Sequence, residues 1–361
     1  MRVAILGLGI VGRGVYDLLI EETDIEVAYI VEIDDVKMKG LEHLKAPSFE
    51  HVLEDESIDT IIEVIGGKTI AYRMVKQALE AKKHVVTANK ALISAYFKEL
   101  HDLASKHHVH LKYEASVAGA TQVVKPLMRI AYLNHFYKLE GILNGTTNYV
   151  LTQIFKQGKD MHQALNDAQE LGFIEAGSND DMLGLDTMRK LNIMSMLLYH
   201  TYIDEKDIQV IPLTILNDAL MSHLKSLNYT VKYIASSTVD DHHLTIQVMP
   251  VAYKKPSIYD HIDDEMNILY AFGKHHQKQA FIGQGAGRYP TATAIISDLD
   301  DIRTHSLDRM FQEKTYIINK RKHQHTFLIQ TRDGFKTSLQ FLEDILKRQD
   351  IISWIKIEDT L

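Results

Sequence analysis

The opening stretch, MRVAILGLGIVGRGVYDLLI, constrains the fold more than any other part of the chain. An apolar run, Val3 to Leu6, leads directly into Gly7-Leu8-Gly9-Ile10-Val11-Gly12, and an apolar helical pattern through Val15, Leu18 and Leu19 follows. Strand, tight turn and helix in that order make a dinucleotide-binding corner. The first glycine permits the turn, the second lets the backbone approach a pyrophosphate, and the third lets helix pack on strand; the helix N-terminus offers N–H groups to anionic oxygens. Glycine spacing alone is weak evidence, and the flanking strand and helix give it meaning. Gly7, Gly9, Ile10, Val11 and Gly12 are therefore cofactor-binding candidates.

A second strand, IEVAYIV, is followed by Glu32, about twenty residues beyond the last glycine, where an acid binds the adenosine ribose. Glu32 could equally cap a loop with Asp34 and Asp35, and the sequence leaves both readings open. DTIIEVIGG reads as a buried strand ending in Gly66 and Gly67, and KKHVVTANKALI as another ending in Thr87-Ala88-Asn89-Lys90. Alternation of strands with helical segments such as 71–81 predicts a parallel, doubly wound, Rossmann-like sheet, whose ligands lie beyond the carboxyl ends of the strands. Lys90 taken alone reads as a surface lysine.

One further stretch is unusual: LGFIEAGSNDDMLGLDTMRKLNIM, residues 171–194, crowds acids and a lysine into an apolar helical pattern through Met182, Leu185, Met188 and Leu191, with Leu183 broadening the face. Ser178, Asn179 and Asp180 are natural caps before it. Asp186 and Lys190, four apart, share a helix face; in isolation such a pair is an exposed ion pair worth roughly a few tenths of a kcal/mol.

Composition narrows the classes. At 361 residues the chain has length for two domains. A net charge of -8 argues against nucleic-acid or anionic-membrane partners, and the absence of cysteine excludes disulfides and thiolate chemistry. No apolar run reaches the ~18 residues of a membrane span, and Met1 leads into a strand rather than a signal peptide, so a cytoplasmic location is expected. The histidine-rich KHHVH, DDHH and KHHQK lack metal-ligand spacing and read as solvated.

GLGIVGRGV, VIGG, VVTANKAL, EASVAGA, GILNGTTNYVL, the acid-rich stretch and GQGAGRYPTATAIISD occur in the order and spacing of homoserine dehydrogenase, and the chain resembles that family from about Met1 to Asp300. The resemblance implies interconversion of homoserine and aspartate semialdehyde with NAD or NADP, in threonine and methionine biosynthesis. It implies that Glu175, Asp181 and Asp186 hold the substrate ammonium and order the site. Lys190 would transfer a proton beside Asp186 in a pocket shared with Lys90, a second catalytic lysine, while Gly145, Thr146 and Thr147 lie near the substrate. Gly285 and Thr291 would mark a cofactor-facing turn and helix start. The backbone carbonyls of Glu114, Val117, Gly119 and Thr121 would hold a monovalent cation such as sodium. A homodimer or homotetramer acting on a small amino-acid substrate is expected.

Departures from the family pattern are Phe173 for tyrosine, Gly177 and Ser178 for an acid and proline, Ala120, Thr121 and Gln122 for glycine, isoleucine and proline, and Arg288 for glycine. They leave room for another small amino- or hydroxy-acid dehydrogenase, or for a cofactor-binding regulator without turnover. Glu32 would repel the 2′-phosphate of NADP, whereas Arg13, Lys37 or Lys39 would attract it.

The chemistry stands apart from the name. Oxidising a primary alcohol removes a hydride from carbon and a proton from oxygen, so the cofactor needs a proton-transfer partner. A substrate carrying ammonium and carboxylate needs charges of both signs around it.

Expected domains are a dinucleotide-binding domain, 1–132 completed by 284–305; an α+β substrate and dimerisation domain, 133–283, with hairpin strands such as LTIQVMPVAY; and a tail, 306–361. The tail pattern reads as strand, turn, helix and strand, with Leu339, Leu342, Ile345 and Leu346 on the helix face. This small βαβ unit resembles half of a ligand-sensing ACT module, either as a structural appendage or as a half completed by a second chain.

Overall fold

The computed structural model describes residues 1–131, 133–174, 179–304, 313–318 and 324–358. By its contacts the chain divides into two units, Met1–Ile130 with Gln284–Glu313, and Ala131–Gly283 with Lys314–Leu361.

The first unit begins β1 (Arg2–Leu6), α1 (Ile10–Glu22), β2 (Glu26–Val31), α2 (Phe49–Glu54), β3 (Thr60–Glu63), α3 (Thr69–Glu80), β4 (His84–Thr87), α4 (Lys90–His107) and β5 (Leu111–Lys112), with α5 (Val124–Ala131) following. The sheet order is β2-β1-β3-β4-β5, and every pairing is parallel. β1 and β3 are buried along nearly their whole length, as strands covered on both faces must be, which is why they read as unbroken apolar runs. From β1 the chain goes to β2 on one side and β3 on the other. That reversal opens a crevice at the carboxyl end of β1, where the glycine turn sits.

The second unit continues β6 (Phe136–Ile142), α6 (Gly145–Gln157), α7 (Met161–Glu170), α8 (Leu185–Tyr199), β7 (Gln209–Val210), α9 (Asp218–Ser226), β8 (Tyr229–Asp240), β9 (His243–Lys254), β10 (Met266–Gly273) and β11 (Gln277–Gln284). The chain then returns to the first unit as α10 (Arg288–Arg303), whose Ala292, Ile295 and Leu299 share a core with Val15, Leu19 and Ile5. Each such buried Val, Leu or Ile side chain contributes about 2 kcal/mol. Finally β12 (Ile317–Ile318), β13 (His325–Thr331), β14 (Gly334–Gln340), α11 (Leu342–Leu346) and β15 (Ile351–Glu358) rejoin the second unit.

Its mixed sheet runs β11-β10-β6-β8-β9-β15-β13-β14, with β7 and β12 also along β9. The β8–β9 hairpin holds register from Tyr229 opposite Lys254 to Asp240 opposite His243. Its two-residue loop puts Asp241 at φ +55, the sign that hairpin turns require.

The tail departs from its expected order. Residues 334–340 form a strand, because the turn at Arg332-Asp333 folds Gly334 opposite Thr331 and pairs β14 with β13. Leu339 lies on that strand, 61% exposed, rather than on the helix. The helix is only Leu342–Leu346, burying Leu342 and Ile345, and β15 then pairs in parallel with β9. The Leu339–Leu342 spacing suits a helix by coincidence, and long-range pairing decided the outcome. Among the described residues no helix is long and apolar enough to cross a membrane.

Candidate active site

In the first unit the glycine turn is built by exclusion. Gly7 sits at φ +94, and a Cβ there would come within 3.1 Å of the Ile65 and Val64 backbone. A Cβ on Gly12 would lie 2.1 Å from the Gly7 carbonyl oxygen, so this glycine is needed for the turn to close at all. Gly9 is different: nothing lies within 4 Å of its Cβ position, and it begins α1 with no side-chain cap. Open space above uncapped N–H groups fits a pyrophosphate. Ile10 is exposed at that first turn and Val11 is half-buried.

Glu32 closes the turn from the β2 side. Its Oε2 accepts Leu8 N–H at 2.8 Å, and its Oε1 accepts Ile33 and Asp34 N–H at 2.9 and 3.0 Å. Burial opposes its charge, but those backbone bonds, led by Leu8 and joined by Lys37, hold the carboxyl below its ordinary value. Lys37 Nζ is 3.9 Å away, and Arg13 is paired with Asp17 at 3.1 Å. Loop closure is thus part of what Glu32 does, and Oε2, with one backbone donor, keeps a lone pair.

The neighbouring loops are locked by two residues that the sequence analysis passed over. Glu63, wholly buried, accepts Thr87 Oγ1–H at 2.6 Å and Ile65 and Gly66 N–H at 2.9 and 3.2 Å. Burial pushes its pKa up against those bonds. Asn89 donates through Nδ2 to the Gly67 carbonyl at 2.6 Å and caps α4 by accepting Leu92 N–H at 3.0 Å. Gly66 and Gly67 hold φ +81 and +71 with open space at both Cβ positions. Lys90, half-buried, is the first residue of α4. An acid inside the apolar DTIIEVIGG was the available signal for Glu63.

Across the same unit a Cβ on Gly119, at φ +51, would meet the Gly285 backbone at 3.1 Å, so the 114–121 turn and the Gly285 turn lie together. Thr291 is buried in the first turn of α10, its N–H donating to the Gly287 carbonyl at 3.1 Å. Glu114 accepts Val124 and Lys125 N–H at 2.9 and 2.8 Å, and its own N–H donates to Asp298 Oδ2 at 2.9 Å. Asp298 is pushed up to about 7 by burial, against Lys125 at 3.1 Å. Arg288 crosses Gly14, where a Cβ would fall 2.7 Å from its Cγ, and pairs with Asp17.

In the second unit a charged network is buried where α6 and α8 begin. Asn144 caps α6, its Oδ1 accepting Thr147 N–H at 2.8 Å. Its Nδ2 donates to Asp181 Oδ1 at 2.7 Å and to Asp186 Oδ2 at 2.9 Å. Lys190 Nζ reaches Asp186 Oδ2 at 2.9 Å and donates to the Leu143 carbonyl at 2.8 Å. Asn144, Asp186 and Lys190 are all buried, so this is not the exposed pair that helical spacing alone suggests. Asp181 is raised by burial and by the Asp186 charge, against Asn144 and Lys190.

Helix α8 starts at Leu185, later than its apolar pattern suggests. Gly184, at φ +80, turns the chain there, and a Cβ would lie 2.1 Å from Tyr233 Oη. Met182 is buried in the preceding loop, but Leu183 is exposed and adds nothing to the helix face. Asp180 is held to Arg189 at 2.7 Å. Thr146 Oγ1 donates to the Phe173 carbonyl at 3.1 Å, and the Phe173 ring packs on Tyr149 at 5.0 Å. Gly145 is required where it stands, because a Cβ would lie 2.7 Å from the Glu265 carbonyl oxygen. Glu175, with Gly177 and Ser178, lies outside the described residues. Asn144 was missed by the sequence analysis, although an asparagine before Gly-Thr-Thr is a cap signal.

A family model described as Homoserine dehydrogenase matches residues 123–299, and one described as Homoserine dehydrogenase, NAD binding domain, matches residues 7–114. The homoserine dehydrogenase of Bacillus subtilis is 34% identical, over 83% of this chain and 72% of its own length. A homoserine dehydrogenase crystal structure from Staphylococcus aureus has a TM-score of 0.82 at 27% identity, over 99% of this chain and 98% of that one. One from Thiobacillus denitrificans, at 24% identity, shares the fold with a TM-score of 0.89 over 99% and 98%. With a bare, glycine-lined helix terminus in one unit and a buried acid–lysine network in the other, the chain belongs to the homoserine dehydrogenase family of NAD(P)-dependent oxidoreductases.

Proposed function

We propose that the Asn144–Asp181–Asp186–Lys190 network is the substrate-binding and proton-transfer centre of the reaction between homoserine and aspartate semialdehyde. The observation that carries it is Lys190, buried with two of its three N–H donors committed to Asp186 and Leu143. Its third donor is left for the oxygen of the substrate. In reduction Lys190 hands a proton to the alkoxide forming at the former aldehyde carbon; in oxidation it takes the hydroxyl proton. Asp186 orients the ammonium group of Lys190. Asp181, Asp186 and Glu175 offer negative charge to the substrate ammonium, and Gly145, Thr146 and Thr147 flank it. Lys90 is the second lysine of the reaction, at the start of α4.

Gly7, Gly9, Ile10, Val11, Gly12, Glu32, Gly66, Gly67, Thr87, Lys90, Gly285 and Thr291 are proposed to hold the dinucleotide, which when bound accepts or donates the hydride. The open positions at Gly9, Gly66 and Gly67 support this. A monovalent cation on the carbonyls of Glu114, Val117, Gly119 and Thr121 is supported by the left-handed Gly119 and by Thr121 Oγ1, which is buried without a hydrogen-bond partner. Thermal shift with sodium against a bulky organic cation tests it.

Residues 1–132 with 284–305 are read as the cofactor domain, 133–283 as the substrate domain and 306–361 as a structural appendage to it. A cytoplasmic homodimer or homotetramer is proposed, supported by the β11 sheet edge that a second copy could cover, and light scattering measures the assembly.

The deciding experiment follows reduced-nicotinamide absorbance with homoserine and with aspartate semialdehyde, in parallel with NAD and NADP forms. Turnover that vanishes in Lys190→Ala while cofactor binding persists is expected. Turnover retained in that variant would refute the assignment. The same assay settles the opposing pulls of Glu32 and Lys37 on a 2′-phosphate.

A further inference from the structure

One buried charge plays no part in the chemistry above. Lys232, on β8, is 2% exposed, and its Nζ donates to Asn148 Oδ1 at 2.9 Å and to the Ile262 carbonyl. Both partners are neutral. The charged groups that face it are Asp260, Asp263 and Asp264, which favour its ammonium, and Lys156, which opposes it. Burial outweighs the acids and lowers its pKa to about 8, so the fold holds this cation at a cost to its own stability.

The bonds around Lys232 converge on one segment. Asn148 Nδ2 donates to the Ile262 and Met266 carbonyls, both at 3.0 Å, and Thr152 Oγ1 accepts Asp264 N–H at 3.1 Å. Asn148 and Thr152 are on α6, so the 262–266 segment is strapped along that helix. At the end of the strap the Glu265 carbonyl packs on Gly145, with no room for a methyl group between them. Gly145 opens the turn that carries Thr146 and Thr147.

We propose that Lys232 is a positioning residue: through Asn148 and Ile262 it fixes the 262–266 segment against α6 and so sets where Gly145, Thr146 and Thr147 stand at the substrate end of that helix. The proposal rests on the substrate reading of the start of α6. A methionine side chain of similar length would fill the same space but could make neither bond.

The test combines amide hydrogen exchange with steady-state kinetics on full-length Lys232→Met, with Lys232→Gln, which keeps a donor, as the milder variant should the first fold poorly. Exchange should quicken at 145–148 and 262–266 and stay unchanged in the cofactor unit. KM for homoserine should rise about tenfold with cofactor KM unaltered, and Lys232→Gln should recover part of the loss. Unchanged exchange at 145–148, or equal losses for both substrates with lowered Tm, would overturn the positioning role. Faster exchange with an unchanged homoserine KM would support the clamp and overturn the substrate reading of the α6 start.

Discussion

The glycine corner of the first unit and the acid–lysine network of the second are built on opposite principles. The corner works by what is missing: side chains are absent at Gly7 and Gly12, where backbone packs on backbone, and at Gly9, which faces open space at the start of α1. The network works by side chains drawn from separate segments, Asn144 before α6 and Asp181, Asp186 and Lys190 around the start of α8. One site is therefore vulnerable to added atoms, and the other to removed ones.

The sharpest contrast is Lys190→Ala, which should lower kcat by about a thousandfold, within the range of lost acid–base catalysis, with cofactor affinity retained. Circular dichroism checks the fold and single-turnover kinetics the chemical step. Near-normal turnover would break the comparison at its stronger end.

Within the glycine corner, two single-methyl additions should separate folding from binding. Gly12→Ala forces a Cβ to 2.1 Å from the Gly7 oxygen and should destabilise the first unit by about 1–3 kcal/mol, read by thermal unfolding. Gly9→Ala meets no protein atom, so Tm should hold while cofactor KM rises about tenfold. Equal effects from both would mean that the corner is a packing device alone.

Asn144→Ala removes a helix cap and one donor from each of two carboxylates, the buried Asp186 and the half-buried Asp181. A loss of about 1–2 kcal/mol in urea unfolding is expected, with a raised homoserine KM and an unaltered cofactor KM.

The smallest effect is a shift in pH. Asp181 already takes up a proton more readily than an ordinary aspartate, because burial and Asp186 disfavour its charge, and the Asn144 bond partly offsets this. Removing Asn144 takes away an influence that lowers the pKa, so the acidic limb of kcat/KM for homoserine should move to higher pH. A limb that stays put or moves down would detach Asp181 from substrate binding.

The two regions also differ in how far they were legible. Short-range rules exposed the corner, since strand, glycine turn and helix are contiguous and the parallel sheet shows in its buried apolar strands. Spacing placed Asp186 and Lys190 on one face, but neither their burial nor the donor between the acids could be read from it. Asn144 is some forty residues from its partners, and Lys232 lies in a strand that looks like any other hairpin arm.

What the sequence by itself determined was local: where the chain turns, which segments are buried on both faces, and which residue types are within reach along one helix. Steric exclusion and hydrophobic periodicity act between near neighbours, so they leave a mark in linear order. Tertiary structure alone decided that the Asp186–Lys190 pair is buried, that Asn144 joins the two acids, that 334–340 is a strand in the second sheet, and that Lys232 reaches the 262–266 segment. Those outcomes depend on desolvation and on hydrogen bonds between residues far apart in the chain, whose energies exist only once the segments meet.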